Sequence, residues 1–158
     1  MTFTAGQTAT AAALNGASGV QTAGGIWRVT NSASTSATTE LVWGTTPTLA
    51  LAASSTYEAI ADVYLLNSGS AVDLYIVRIR DTNVAGTIRQ AIDAYPTTTS
   101  GTGPYPVRCV YTFTTSTAGN FVFAGTIQRA SGAETAQVVA GSKLEVVLKG
   151  SSSVYSTV

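Results

Sequence analysis

The sequence predicts an all-β chain, an antiparallel β-sandwich of the jelly-roll kind with a short N-terminal arm. Three observations predict it. Apolar and polar residues alternate over several runs, which is the period of a strand with one buried face. Segments rich in Gly, Ser and Thr separate those runs at short intervals. Long helices are absent, and seven or eight short strands fit two packed sheets. At 158 residues the chain forms one domain large enough for a real core. It divides into an arm at 1–25, a β-sandwich body at 26–150 and a flexible tail at 151–158.

In chain order, Thr8 to Leu14 is alanine-rich enough for two helical turns, stopped by Asn15-Gly16. So short a helix must dock on something to persist. Gly16 to Gly25 has the composition of a flexible linker. Ile26 to Thr30 reads as a first strand, Thr39 to Trp43 as a second, and Leu49 to Leu51 as a brief third. The two tryptophans, Trp27 and Trp43, read as plugs of the core or of an interface.

Thr56 to Leu66 and Asp73 to Asp81 read as a hairpin turning through Asn67-Ser68-Gly69-Ser70. Both arms are apolar on both faces, so a second cover is expected outside the domain's own other sheet. Registers that pair even positions place Glu58 and Asp62 on one face with Arg78 and Arg80. These four are candidate subunit-interface charges, with a solvated face as the alternative. Ile88 to Ile92 is too short to assign, and Pro96 to Pro106 reads as an exposed loop.

A second hairpin, Tyr105 to Arg129, is the strongest pattern. Val107, Cys109, Tyr111 and Phe113 share one face of its first arm, and Phe121, Phe123, Gly125 and Ile127 share one face of the second. Thr135 to Val139 and Lys143 to Lys149 complete the strands, the last with Leu144, Val146 and Leu148 facing inward.

Composition narrows the function. Charged residues are 10% of the chain, against about 25% in an average domain. A neutral, hydroxyl-rich surface suits a protein packed against copies of itself or other proteins, and equally a secreted or surface β-domain of low charge. Net charge is zero, which argues against nucleic acid as a partner. Nothing in the sequence supports a membrane surface, and no apolar run approaches the roughly 20 residues of a bilayer span. The first basic residue is Arg28, so no signal-peptide n-region is expected and synthesis is expected in a cytoplasm.

The chain has no histidine, which removes Ser-His-Asp and Cys-His chemistry and histidine metal ligands. Cys109 is the single cysteine and reads as a buried, inert thiol. Gly101-Thr102-Gly103 lacks the rest of a nucleotide fingerprint. A carboxylate hydrolase needs a pair of acids, and the eight acids are scattered among arginines. No catalytic residue, cofactor or metal site is therefore expected.

The opening Met1-Thr2-Phe3-Thr4-Ala5-Gly6-Gln7-Thr8-Ala9-Thr10-Ala11-Ala12-Ala13-Leu14-Asn15 resembles the start of many virion structural proteins of tailed bacteriophages. Those openings run Phe-x-Ala-Gly-Gln, a few residues, Thr-Ala-Ala, then Leu-Asn. Ala9 stands where they usually carry an aliphatic residue. The body is similar in texture to compact trimeric β-sandwich modules of phage capsid decoration and tail-tip proteins. The resemblance implies a non-enzymatic virion part, made in the bacterial host cytoplasm. Its arm would anchor it through Phe3 and Leu14 to the major capsid protein or other virion proteins. Two roles follow: a capsid decoration (cement) subunit, self-associating as a trimer, or a tail-associated fibre or receptor-binding module recognising a host surface glycan or protein.

Overall fold

The computed structural model describes residues 21–32, 38–69, 72–96 and 103–151. Within them the chain is all-β and antiparallel. Its strands are β1 (Gln21–Trp27), β2 (Leu41–Thr45), β3 (Leu49–Leu51), β4 (Ser55–Asn67), β5 (Leu74–Asp81), β6 (Ile88–Ala94), β7 (Tyr105–Thr115), β8 (Gly119–Phe121), β9 (Phe123–Ser131), β10 (Ala136–Val138) and β11 (Lys143–Ser151). Candidate anchors Phe3 and Leu14, the possible helix over Thr8 to Leu14 and most of the tail lie outside the described residues.

β4 is the spine of the first sheet. One edge pairs with β7 from Ser55↔Thr115 to Leu65↔Tyr105. The other edge takes β11 (Lys143↔Asp62 to Ser151↔Ser55) and then β10 (Val138↔Leu65 to Ala136↔Asn67), end to end. β1 pairs with the far side of β11. The second sheet runs β2-β9-β5-β6, and β3 pairs with β8 in a small ribbon. The inner faces share one core: Tyr57, Ala59, Ala61, Val63 and Leu65 of β4, Leu144 and Val146 of β11, and Val107 and Cys109 of β7 face Tyr75, Val77 and Ile79 of β5, with Phe123 and Ile127 of β9. Alternation along β4, β5, β7 and β11 thus selects the buried side as the sequence indicates.

Neither expected hairpin forms. β7 and β9 lie in different sheets, as do β4 and β5. Period-2 alternation says which side chains share a face; it does not say whether two matching faces lie side by side or oppose each other across a core. Here they oppose. Phe113 of β7 and Phe123 of β9 meet with ring centroids 5.3 Å apart and planes tilted by 49°. Between them the β3–β8 ribbon carries the chain from one sheet to the other.

Residues 21–25, read as part of the linker, belong to β1. Gln21 pairs with Leu148 and Gly25 with Glu145, with a bulge between Thr22 and Gly24. At Gly25 the strands pack so closely that a Cβ would stand 2.5 Å from the Leu144 carbonyl oxygen. Glycine here signals close backbone approach rather than flexibility. Ile88–Ala94, too short to assign from sequence, is the outer strand of the second sheet because it pairs with β5 from Tyr75↔Ala94 to Arg80↔Ile88.

One end of the sandwich is locked by the turn between β9 and β10. Buried Asp73 accepts a hydrogen bond from the Glu134 amide at 2.6 Å, while Tyr75 and Arg129 donate to the Glu134 carbonyl at 3.0 and 2.9 Å. Burial, then the charge of Asp73, pushes the Tyr75 phenol up to about 12. Gly132 sits in this turn at φ +95°, where a Cβ would lie 1.8 Å from Asp73 Oδ1. Gly132→Ala is therefore expected to destabilise the fold by roughly 1–3 kcal/mol, through positive φ and displacement of Asp73. Urea unfolding checks this; a neutral result would show the turn to be free to relax.

Candidate interaction surface

The outward side chains of the first sheet form the most organised surface among the described residues. Registers place Trp27, Lys143, Asp62 and Arg108 on one rung across β1, β11, β4 and β7. The next rung is Gly25, Glu145, Ile60 and Val110, and Val147, Glu58 and Thr112 follow. Alternation explains the set, because the opposite parity of each strand fills the core.

Charges on this face are paired throughout. Lys143 lies 2.5 Å from Glu145 and 3.5 Å from Asp62, which also faces Arg108 at 3.4 Å. Lys149 lies 3.2 Å from Glu58. The hydrogen bond to Glu145 holds the Lys143 ammonium above its ordinary range, against the opposing effect of burial. Beneath these side chains Ile60 and Val147 are buried although they point away from the core. Long charged side chains cover apolar surface with their stems, and this explains the second apolar face of β4.

Two aromatics flank the network. Trp27 is 70% exposed at the β1 edge, and Tyr64 is exposed beyond Asp62. A shallow recess of about 250 Å³ lies beside Trp27, lined by Thr22, Gly25, Ile26, Lys143 and Glu145. The other tryptophan, Trp43, is buried in the core above Gly125. One tryptophan is thus a core plug and the other a surface group.

The four expected interface charges do not come together. Glu58 and Asp62 lie on the outer face of the first sheet, and Arg78 and Arg80 lie on the second sheet, where both bind Glu40. The pairing expected from sequence required β4 and β5 to be neighbours, and they are not. Sequence analysis missed Glu40, which sits just before β2 with no periodic signal of its own. It bridges Arg80 at 2.5 Å and Arg78 at 3.1 Å, and Thr126 Oγ1 donates to it. Burial would push the Glu40 carboxyl up. Hydrogen bonds from Arg80 and Thr126 and the charges of Arg78 and Arg80 outweigh it, leaving the group below its ordinary 4.5.

Cys109 is buried, and burial pushes its thiol up to about 11, the opposite of an activated nucleophile. Among the described residues no group of three or more potential metal ligands occurs.

No family model and no curated protein matches this chain. Among solved structures it is similar to the infectious bursal disease virus VP2 subviral particle, with 11% identity and a TM-score of 0.30. It is also similar to the infectious bursal disease virus Gx strain structure, with 12% identity and a TM-score of 0.24. Both comparisons cover 81% of this chain and 39% of the other, so the chain spans about two-fifths of their length. These are weak structural similarities.

Proposed function

We propose that the chain is a non-enzymatic virion structural protein of a tailed bacteriophage, acting as a capsid decoration subunit that self-associates, as a trimer, and binds the major capsid protein or a neighbouring virion protein. The observation that carries the reading is the outer face of the first sheet: a neutral set of paired charges between Trp27 and Tyr64. Aromatic and arginine side chains beside satisfied polar groups are the make-up of protein–protein interfaces. The carboxylates support a non-catalytic reading. Glu40, Glu58, Asp62, Asp81 and Glu145 are in ion pairs, while Asp73 and Glu134 hold the turn between β9 and β10. The opening from Met1 to Asn15, with its resemblance to phage virion proteins, supplies the virion assignment and the anchor residues Phe3 and Leu14.

Because residues 21–25 are paired in β1, the cut that separates anchor from body falls before Gln21. A chain beginning at Gln21 is expected to melt close to the full-length protein. It is also expected to fail to decorate phage particles whose own copy has been deleted, as read by gold-labelled antibody on intact particles. Gold on the head supports decoration, and normal occupancy by the truncated chain would place the anchor elsewhere. A second reading, a tail-associated module recognising a host glycan, is favoured by the exposed Trp27 beside its recess. Gold confined to the tail would select it.

A further inference from the structure

We propose that the outer face of the first sheet packs against the same face of a second copy, about a two-fold axis that runs parallel to the strands between β11 and β4. The contact rests on the protein–protein reading of this face given above and deepens it by naming the partner.

The central rung complements itself when reversed. Across β1, β11, β4 and β7 it reads Trp27, Lys143, Asp62, Arg108. The bulges in these ladders, at Thr22/Gly24 and Leu148/Gly150, fall elsewhere, so the four side chains leave the same side of the sheet. Asp62 lies within 3.5 Å of both Lys143 and Arg108, and Trp27 is 70% exposed while its neighbour Ile26 packs on the core.

Charge identifies the occupant and its orientation. A half-turn about an axis parallel to the strands turns the face over and reverses the order of the rung. Arg108 of the second copy then lies over Trp27, and Asp62 of the second copy lies over Lys143; symmetry repeats both contacts. A half-turn about an axis along the rung would keep the order, setting Lys143 over Lys143 and Arg108 over Arg108. Like charges facing each other across an interface are costly, so the first axis is selected. On the next two rungs the same axis sets Glu145 over Ile60, Gly25 over Val110, and Val147 over Glu58, and no like charges meet. A second copy carries this order of charges by necessity, whereas a glycan does not.

Shape agrees with charge. Stacked sheets lie about 10 Å apart, a gap that Trp, Lys and Arg side chains fill from both sides. A recess of about 250 Å³ lies at each end of the rung, one beside Trp27 and one lined by Tyr64, Pro106 and Arg108. Each indole therefore faces the recess at the opposite end of its partner's rung. The Arg108 side chain is 62% exposed and lies 3.4 Å from Asp62, which leaves its guanidinium free to cover the indole of the second copy. Buried Trp and Arg side chains commonly dominate the energy of such interfaces.

The contact is isologous, as two-fold contacts are. Alone it gives a dimer; with the three-fold association proposed above it gives a hexamer of two trimers. It occupies the sheet face and leaves attachment to the particle to the arm.

The test uses the full chain. Light scattering coupled to size exclusion should show a dimer or a hexamer. Trp43 is buried, so acrylamide quenching reports Trp27, and it should be lost as the concentration of the wild type is raised. Asp62→Lys sets cations over one another, and Lys143→Asp sets anions over one another. Each variant alone should associate more weakly by roughly tenfold or more. An equimolar mixture of the two restores opposite charges at both facing positions, and association should recover. Only a monomer or a trimer at high micromolar concentration would overturn the contact, as would quenching that does not change with concentration. An oligomer that neither variant weakens, or folded variants whose mixture does not recover, also overturns it and leaves self-association standing at another surface. If Trp27 is protected by phage particles lacking their own copy but not by concentration, the face belongs to the capsid and the two-fold contact fails. The location of gold on virions is independent of these outcomes.

Discussion

Replacing Glu40 with alanine is expected to destabilise the fold by about 3–5 kcal/mol, the cost of removing one member of a buried ion-paired group. The Glu40 side chain is 9% exposed, and those of Arg78 and Arg80 are 12% and 13% exposed. Removing the carboxylate leaves two poorly solvated guanidinium groups without their counter-charge, though Gln128 and Gly86 still accept from them, and the Thr126 hydroxyl without its acceptor. Glu58→Ala breaks a pair whose lysine is 47% exposed and should cost no more than about 1 kcal/mol. The effect of Glu40 also has a pH signature. Its carboxyl titrates lower in the folded state than its ordinary 4.5, so its stabilisation is fully present above that value. It is lost as pH falls through the folded-state pKa, because the folded state then takes up the proton that the unfolded state already holds. Urea unfolding of the wild type and Glu40→Gln should show a gap at neutral pH that closes on acidification. A gap that stays constant into strong acid, or no gap at neutral pH, would mean that the cluster contributes nothing as an ion pair.

Phe123→Ala is expected to cost a similar amount, about 3–5 kcal/mol, by leaving a cavity between the sheets. Phe123 is 2% exposed, and its amide donates to Thr46 Oγ1 at 3.0 Å, so the backbone will not readily move into the space. Phe113 stacks on Tyr111 and tilts against Phe123 but is only partly buried. Its replacement by alanine should cost less, about 1–3 kcal/mol. Thr112, on the opposite face of β7, is exposed and should be nearly neutral when replaced. Comparable small losses at all three positions in denaturant unfolding would refute the assignment of the inner face.

These two sites mark what was legible in the sequence. Faces were legible, because a strand buries every second residue wherever it lies. Val107, Cys109, Leu144 and Val146 could be assigned to the core from alternation alone. Neighbours were not legible. Phe113 and Phe123 match equally well as cross-strand partners and as opposed rings, and only the path of the β3–β8 ribbon decides between them. The same ambiguity separated Glu58 and Asp62 from Arg78 and Arg80. Glu40 had no signal at all, because its role comes from side chains of two strands, β5 and β9, converging on the end of a loop. Gly24 and Gly25 misled in a different way: glycine composition reads as slack chain, yet here it permits strands to approach where a side chain would collide.

The placement of β11 has a consequence in time. It lies between β1 and β4, so the last of the described strands fills the middle of the first sheet. During synthesis β1 and β4 have no common partner, and the edge of β4 that will receive β11 stays bare until residues 143–151 leave the ribosome. Closing Gln21 against Leu148 spans nearly the whole described chain, the kind of distant pairing that slows folding. Completion of the body is thereby tied to synthesis of residues 143–151. A chain stopped before residue 143 retains an open seam through its first sheet, the type of unpaired edge that draws nascent chains into one another.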